Sequence, residues 1–191
     1  MNRILLVIVV ILLAGSAWFG VEWLTLKRLH GSMVQEAKAA MVVGMSDLQD
    51  RLAAGIDSLG DDAGADAIIW SDLNAGIGTV LTSAQILKES YKSARHETDV
   101  LHSIRWTMTS LQRFVRQAMQ FGEDHQPFAI NSCEGRIIAN AADIRTELQK
   151  YRNLLTWSGP ENLKETDEIW SLIVERWNPE EAAHVHRCGI S

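Results

Sequence analysis

Residues 4–21, ILLVIVVILLAGSAWFGV, carry no charged side chain and follow only Met1, Asn2 and Arg3. As a helix rising about 1.5 Å per residue, the run covers about 27 Å, close to the hydrocarbon thickness of a bilayer. So apolar a segment seldom finds a soluble core to enter, and a membrane is its expected solvent. Gly15-Ser16-Ala17 offers small residues of the kind at which signal peptides are cut. The apolar character nevertheless continues through Trp18, Phe19, Val21, Trp23 and Leu24, and Lys27 and Arg28 follow. Tryptophans with a basic flank read as an interfacial belt, so the expectation is an uncleaved signal anchor. A short amino tail led by Arg3 favours that tail in the cytoplasm. The chain then reads as a single-pass protein of a bacterial-type inner membrane with its C-terminal body in the periplasm. Residues 1–30 form the membrane anchor and juxtamembrane segment, and residues 31–191 a helical extracytoplasmic domain.

The whole chain has 191 residues and a formal net charge of −6. Arg3, Glu22, Lys27 and Arg28 precede residue 31, so the body is more acidic than the whole. An acidic body does not attract phosphate backbones, which excludes nucleic acid as the expected partner, and no basic patch is evident to offset it. The three prolines are Pro127, Pro160 and Pro179, so nothing interrupts long helices before them. Neither alternating β-branched runs nor Asn-Gly or Asp-Gly pairs occur, and the class expected is all-α.

Beyond a hinge at Gly31, Val34, Ala37, Met41, Met45, Leu48, Leu52, Ile56 and Leu59 form one apolar stripe on a helix over residues 32–59. Gly60-Asp61-Asp62-Ala63-Gly64 then turns the chain. From Trp70 to Ala118 apolar positions step by three and four, broken only by an extra step of three at Thr98, Leu101 and Ile104. A heptad pattern held this long predicts one long second helix with a stammer, bent most readily at Gly76 and Gly78. Phe121-Gly122 ends it. Asn131 and Glu134 have capping-box spacing for a third helix bearing Ile137, Ala141, Ile144, Leu148, Tyr151 and Leu155. Ser158 and Glu161 open a fourth with Leu163, Trp170, Ile173, Val174 and Trp177, and Asn178-Pro179 a short fifth. Short turns make sequential helices neighbours, so the expected architecture is an N-terminal transmembrane helix followed by an antiparallel bundle with a long heptad-patterned second helix.

Chemistry-bearing residues are sparse. Cys133 and Cys188 in an exported body predict a disulfide, because a third helix leading away from Cys133 and the fourth and fifth returning along it have matching lengths. His184, His186 and Cys188 alternate and could converge on a metal only in an extended tail, so a solvated tail is the preferred reading. His96 and His102 do not share a helix face and read as surface residues, and Trp106, Trp157, Trp170 and Trp177 as core. No phosphate loop, nucleophile elbow, zinc-protease or haem motif is present, so neither an enzyme nor a cofactor is expected.

In organisation the anchor, helical body and cysteines resemble the helical extracytoplasmic bundles of bacterial sensors and the inner-membrane spanins of phage lysis. The first resemblance implies a ligand- or metal-sensing bundle and the second a lysis component. A sensor of that kind has a second membrane helix, and no apolar run follows residue 30. The function expected is therefore a membrane-anchored binding or scaffolding module acting through protein–protein contacts, with a protein partner or by self-association.

Overall fold

The computed structural model describes residues 3–59, 67–91, 95–124, 126–129, 137–155, 166–179 and 182, with side chains from Gly20 onward except at positions 67, 95, 123 and 124. Five helices and one small sheet appear among them: α1 (Arg3–Ser58), α2 (Ala67–Ser90), α3 (Arg95–Asp124), β1 (Phe128–Ala129), β2 (Ile137–Ile138), α4 (Ala141–Leu155) and α5 (Thr166–Arg176). The chain is predominantly helical, and it divides into two compact units, Met1–Glu36 and Ala37–Ser191.

In the first unit every described side chain from Val21 to Met33 is exposed, including Val21, Trp23, Leu24, Leu26, Leu29 and Met33. Thr25 and Ser32 donate their hydroxyls back to the helix carbonyls of Val21 and Leu29. Gly31 is no hinge, because α1 runs through it unbroken. Among the described residues no helix is long and apolar enough to cross a membrane, and the side chains of residues 3–19 lie outside that set.

The second unit is organised around the stripe on α1. Met41, Met45, Leu48, Leu52, Ile56 and Leu59 are all buried, as their three- and four-residue spacing requires. Opposite them α2 buries Trp70, Leu73, Ile77, Val80, Ala84 and Leu87. Two glycines let these helices approach closely: a Cβ on Gly44 would stand 3.2 Å from Val80 Cγ2, and one on Gly76 would stand 3.4 Å from Arg51 Cδ. Gly76 and Gly78 both lie inside α2, which runs through them without a break. Pairing 44 with 80 and 76 with 51 shows that α1 and α2 run antiparallel. Arg51 fastens the crossing, donating to the Asp72 carbonyl at 3.1 Å.

The expected single helix over residues 70–118 is two. α2 stops at Ser90, Tyr91 is in a turn, and α3 restarts at Arg95 and packs back along α2. Gln112 Nε2 donates to Asn74 Oδ1 at 3.3 Å, and Thr98 Oγ1 donates to the Tyr91 carbonyl at 2.9 Å, so the pair is an antiparallel hairpin. Val100, Leu101, Ile104, Met108, Leu111, Val115 and Ala118 are buried as one stripe. The extra step of three at Thr98, Leu101 and Ile104 falls inside α3, just after the chain reversal. No Gly or Pro stands between residues 79 and 121, and the orphan carbonyl at Tyr91 is satisfied instead by the Thr98 side chain.

A second correction concerns residues 128–140. Phe128 pairs with Ile138 and Ala129 with Ile137 in an antiparallel two-stranded sheet, where the capping-box spacing predicts a helix from Asn131. Period-two alternation decides it, with Ile137 60 % exposed and Ile138 fully buried. Phe128 packs against Phe114 and Phe121 with ring centroids 6.0 Å away in each case, holding the strand on the end of α3. α4 starts only at Ala141, where Asp143 N donates to Asn140 Oδ1 at 2.9 Å and Asp143 Oδ2 accepts from Ala139 N at 3.2 Å. Ala141, Ile144, Leu148, Tyr151 and Leu155 are buried, as their spacing predicts. Arg145, from α4, donates to the Ile56 and Leu59 carbonyls at the end of α1, setting a cation on the negative end of that helix.

α5 is tied at three points. Lys38 meets Asp167 at 2.5 Å, Tyr91 stacks on Trp170 with ring centroids 6.4 Å apart, and Trp177 Nε1 donates to Ser103 Oγ at 3.0 Å. Beyond it Ala182 N donates to the Asn178 carbonyl at 3.0 Å, the first turn expected after Pro179. The Gly60 to Gly64 turn, the Ser158 cap and Leu163 lie outside the described residues.

The glycine contacts give opposite expectations for two substitutions. A Cβ added at Gly78 would meet nothing within 4 Å, so Gly78→Ala should stabilise by about 1 kcal/mol and raise Tm by about 2–4 °C. Gly44→Leu should cost about 1–3 kcal/mol by forcing α1 away from Val80. Thermal unfolding followed by circular dichroism distinguishes the two, and equal effects would contradict the close crossing.

Candidate functional site

Cys133, Cys188, His184 and His186 lie outside the described residues, so the disulfide and the tail metal set have no described geometry. The length match behind the disulfide changes, because the helix expected to begin near Cys133 begins at Ala141 and is 15 residues long. Among the described residues no three His, Cys, Asp or Glu side chains converge on a metal position.

Two polar clusters are structural. Lys38 is pulled down by partial burial and up by Asp167 and Tyr91, with a net rise, so it stays a cation where it fastens α5 to α1. Its Nζ also stands 5.9 Å from the centroid of the Tyr91 ring. Glu147 is buried beside Tyr151 and pairs with Lys150 at 2.9 Å. Burial and the neighbouring Glu147 carboxylate push the Tyr151 phenol well above its usual range, so it remains protonated.

The outward face of α3 is different. His102, Trp106, Thr109, Arg113 and Arg116 are exposed at helical spacing and Arg105 is half-buried among them. Val100 through Gly122 contains three arginines and one histidine and no carboxylate, in a chain of net charge −6. Trp106, expected in the core, is 40 % exposed because the α3 seam is filled by Ile104, Met108 and Leu111 and leaves position 106 outside. The indole is held in place: Trp106 Nε1 donates to His102 Nε2 at 2.6 Å and the rings meet edge to face at 5.9 Å. His102, Arg105, Trp106 and Thr109 line a shallow cleft of about 220 Å³.

His102 must keep Nε2 unprotonated to accept that bond, and its surroundings favour this. Partial burial, then the Lys88 and Arg105 charges, lower its pKa below the ordinary 6.5, against a smaller opposing effect of Asp99. The result is an aromatic plate flanked by permanent guanidinium charges. Such a surface recognises carboxylates and packs against apolar or aromatic groups, the composition enriched at protein interfaces. The Thr109 hydroxyl in the cleft donates to the Arg105 carbonyl at 2.8 Å, and His102 Nε2 is taken by the indole. The sequence signal for this face was the acid-free run from Val100 to Gly122, which the net acidity of the body conceals.

No family model matches the chain, and no curated protein or solved structure is similar to it.

Folding disfavours the His102 proton, so its contribution to stability is complete above pH 6.5 and is lost as pH falls through the lower folded value. An NMR titration should place the His102 midpoint below 6.5, with the Trp106 indole proton shifting in the same transition. A midpoint at or above 6.5 would show that the histidine does not hold the indole as described.

Proposed function

We propose that the protein is a membrane-anchored, periplasmic helical module that acts through protein–protein contacts and that the outward face of α3 is its docking surface. One observation carries the reading: an exposed tryptophan held by His102 and set beside arginines on a stretch of α3, Val100 to Gly122, that has no carboxylate, within an otherwise acidic chain. Aromatic and Arg residues are the commonest anchors of protein interfaces, and a field of one sign steers an oppositely charged partner. Membrane attachment rests on the uncharged run at residues 4–21 and on the exposed apolar side chains from Val21 to Met33. The ligand-sensing alternative has one feature in its favour, the cleft beside Trp106, whose volume of about 220 Å³ is below the ordinary range for small-molecule sites.

A photo-crosslinking amino acid at Thr109, in full-length protein in its membrane, tests the surface directly. Discrete protein adducts are expected, weakened at high salt, from a chain that resists carbonate extraction. Lipid adducts alone, or none, would remove α3 as a protein-docking face, and release by carbonate would remove the anchor.

A further inference from the structure

The face of α1 that points away from the core is the electrostatic counterpart of α3. Asp47, Asp50 and Asp57 are exposed there, alternating with the buried Leu48, Leu52 and Ile56. None of the three has an ion pair or hydrogen bond among the described residues, whereas Asp72, the acid near Arg51, does. Each copy therefore carries an acidic helix face and a basic one.

The geometry points to a second copy of this chain as the partner: we propose that the α3 face of one copy docks on the α1 face of another. This rests on the reading of α3 as a docking surface. α1 is antiparallel to α2 and α2 to α3, so α1 and α3 run in the same direction within a copy. The α3 face of one copy can therefore lie parallel to the α1 face of another. In that register Arg105 and Arg113 fall opposite Asp50 and Asp57, and the neutral His102 opposite Asp47. The first interval is three residues on both helices; the second is eight on α3 and seven on α1. That mismatch is about 1.5 Å along the axis, which an Arg side chain spans. Thr109 then falls opposite Ala54, exposed and small, which leaves room for the neighbouring Trp106 ring.

The two faces differ, so the contact is heterologous: a docked pair keeps one free face of each kind, and copies add in rows or rings rather than stopping at a pair. Confinement by an anchor raises the effective concentration, so a contact weak in solution is populated on the membrane.

Charge exchange tests this on the full-length chain in detergent and in membranes. Wild type should sediment above the 21.3 kDa monomer at low salt and dissociate by about 0.5 M salt, where exposed charges are screened. R105D/R113D and D50R/D57R should each lose self-association by about tenfold or more with unchanged helicity, since all four positions lie outside the apolar seam. An equimolar mixture of the two variants should regain it, because each supplies the face the other has reversed. A monomeric wild type at low salt, or a mixture that stays monomeric, would overturn the second-copy assignment. Adducts from Thr109 to a different protein, with a monomeric wild type, would overturn it while leaving α3 as a docking face; absence of any protein adduct would remove both.

Discussion

Six apolar side chains on one face of α1, from Met41 to Leu59, must leave water together, and the second unit is the arrangement that lets them do so. Each buried aliphatic side chain contributes about 1.5–3 kcal/mol, so this stripe and its partners on α2 and α3 dominate the interactions that hold the unit together. Gly44 and Gly76 bring the α1 and α2 backbones close enough for the stripes to interlock. α3 covers α2 because the chain reverses at Tyr91. The remaining elements are fastened to this three-helix core by polar and aromatic ties: Arg145 on the end of α1, Lys38 to Asp167, and the Phe114, Phe121 and Phe128 rings.

The same constraint creates the surface. A helix that commits one stripe to the core presents the opposite stripe to solvent, and on α3 that stripe holds arginines and a tryptophan. Trp106 is outside because its neighbours Ile104, Met108 and Leu111 fill the seam, and it is ordered because His102 accepts its indole proton. On α1 the opposite stripe holds aspartates. Two faces of opposite sign on helices that run the same way give the molecule a built-in polarity, which net charge alone hides.

Periodicity made the buried residues of α1, α3 and α4 legible in the sequence, because a 3.6-residue repeat records which side chains need cover. It did not reveal the reversal at Tyr91. The apolar steps continue across residues 87–101 without Gly or Pro, and the Thr98 hydroxyl that satisfies the freed carbonyl comes from the next helix. Asn131 and Glu134 have the same cap spacing as Asn140 and Asp143, so spacing alone could not choose between them. The choice follows from the pairing of Ile137 and Ile138 with residues 128–129, which buries one isoleucine and exposes the other. Trp106 was misplaced because tryptophan on a patterned helix is ordinarily core, and its exposure depends on how α3 is rotated against α2. The charge of that face was readable as an acid-free run but was averaged away in the whole-chain count.

Hydroxyl-radical footprinting of the full-length chain in its membrane tests the docking role of α3 most directly, by the oxidation rate of Trp106 at low and high salt. An indole 40 % exposed in the lone chain should be protected at low salt and become reactive at high salt, as a charged partner leaves. Equal oxidation of Trp106 at both salt concentrations, at the rate of the lone chain, would show that nothing docks there.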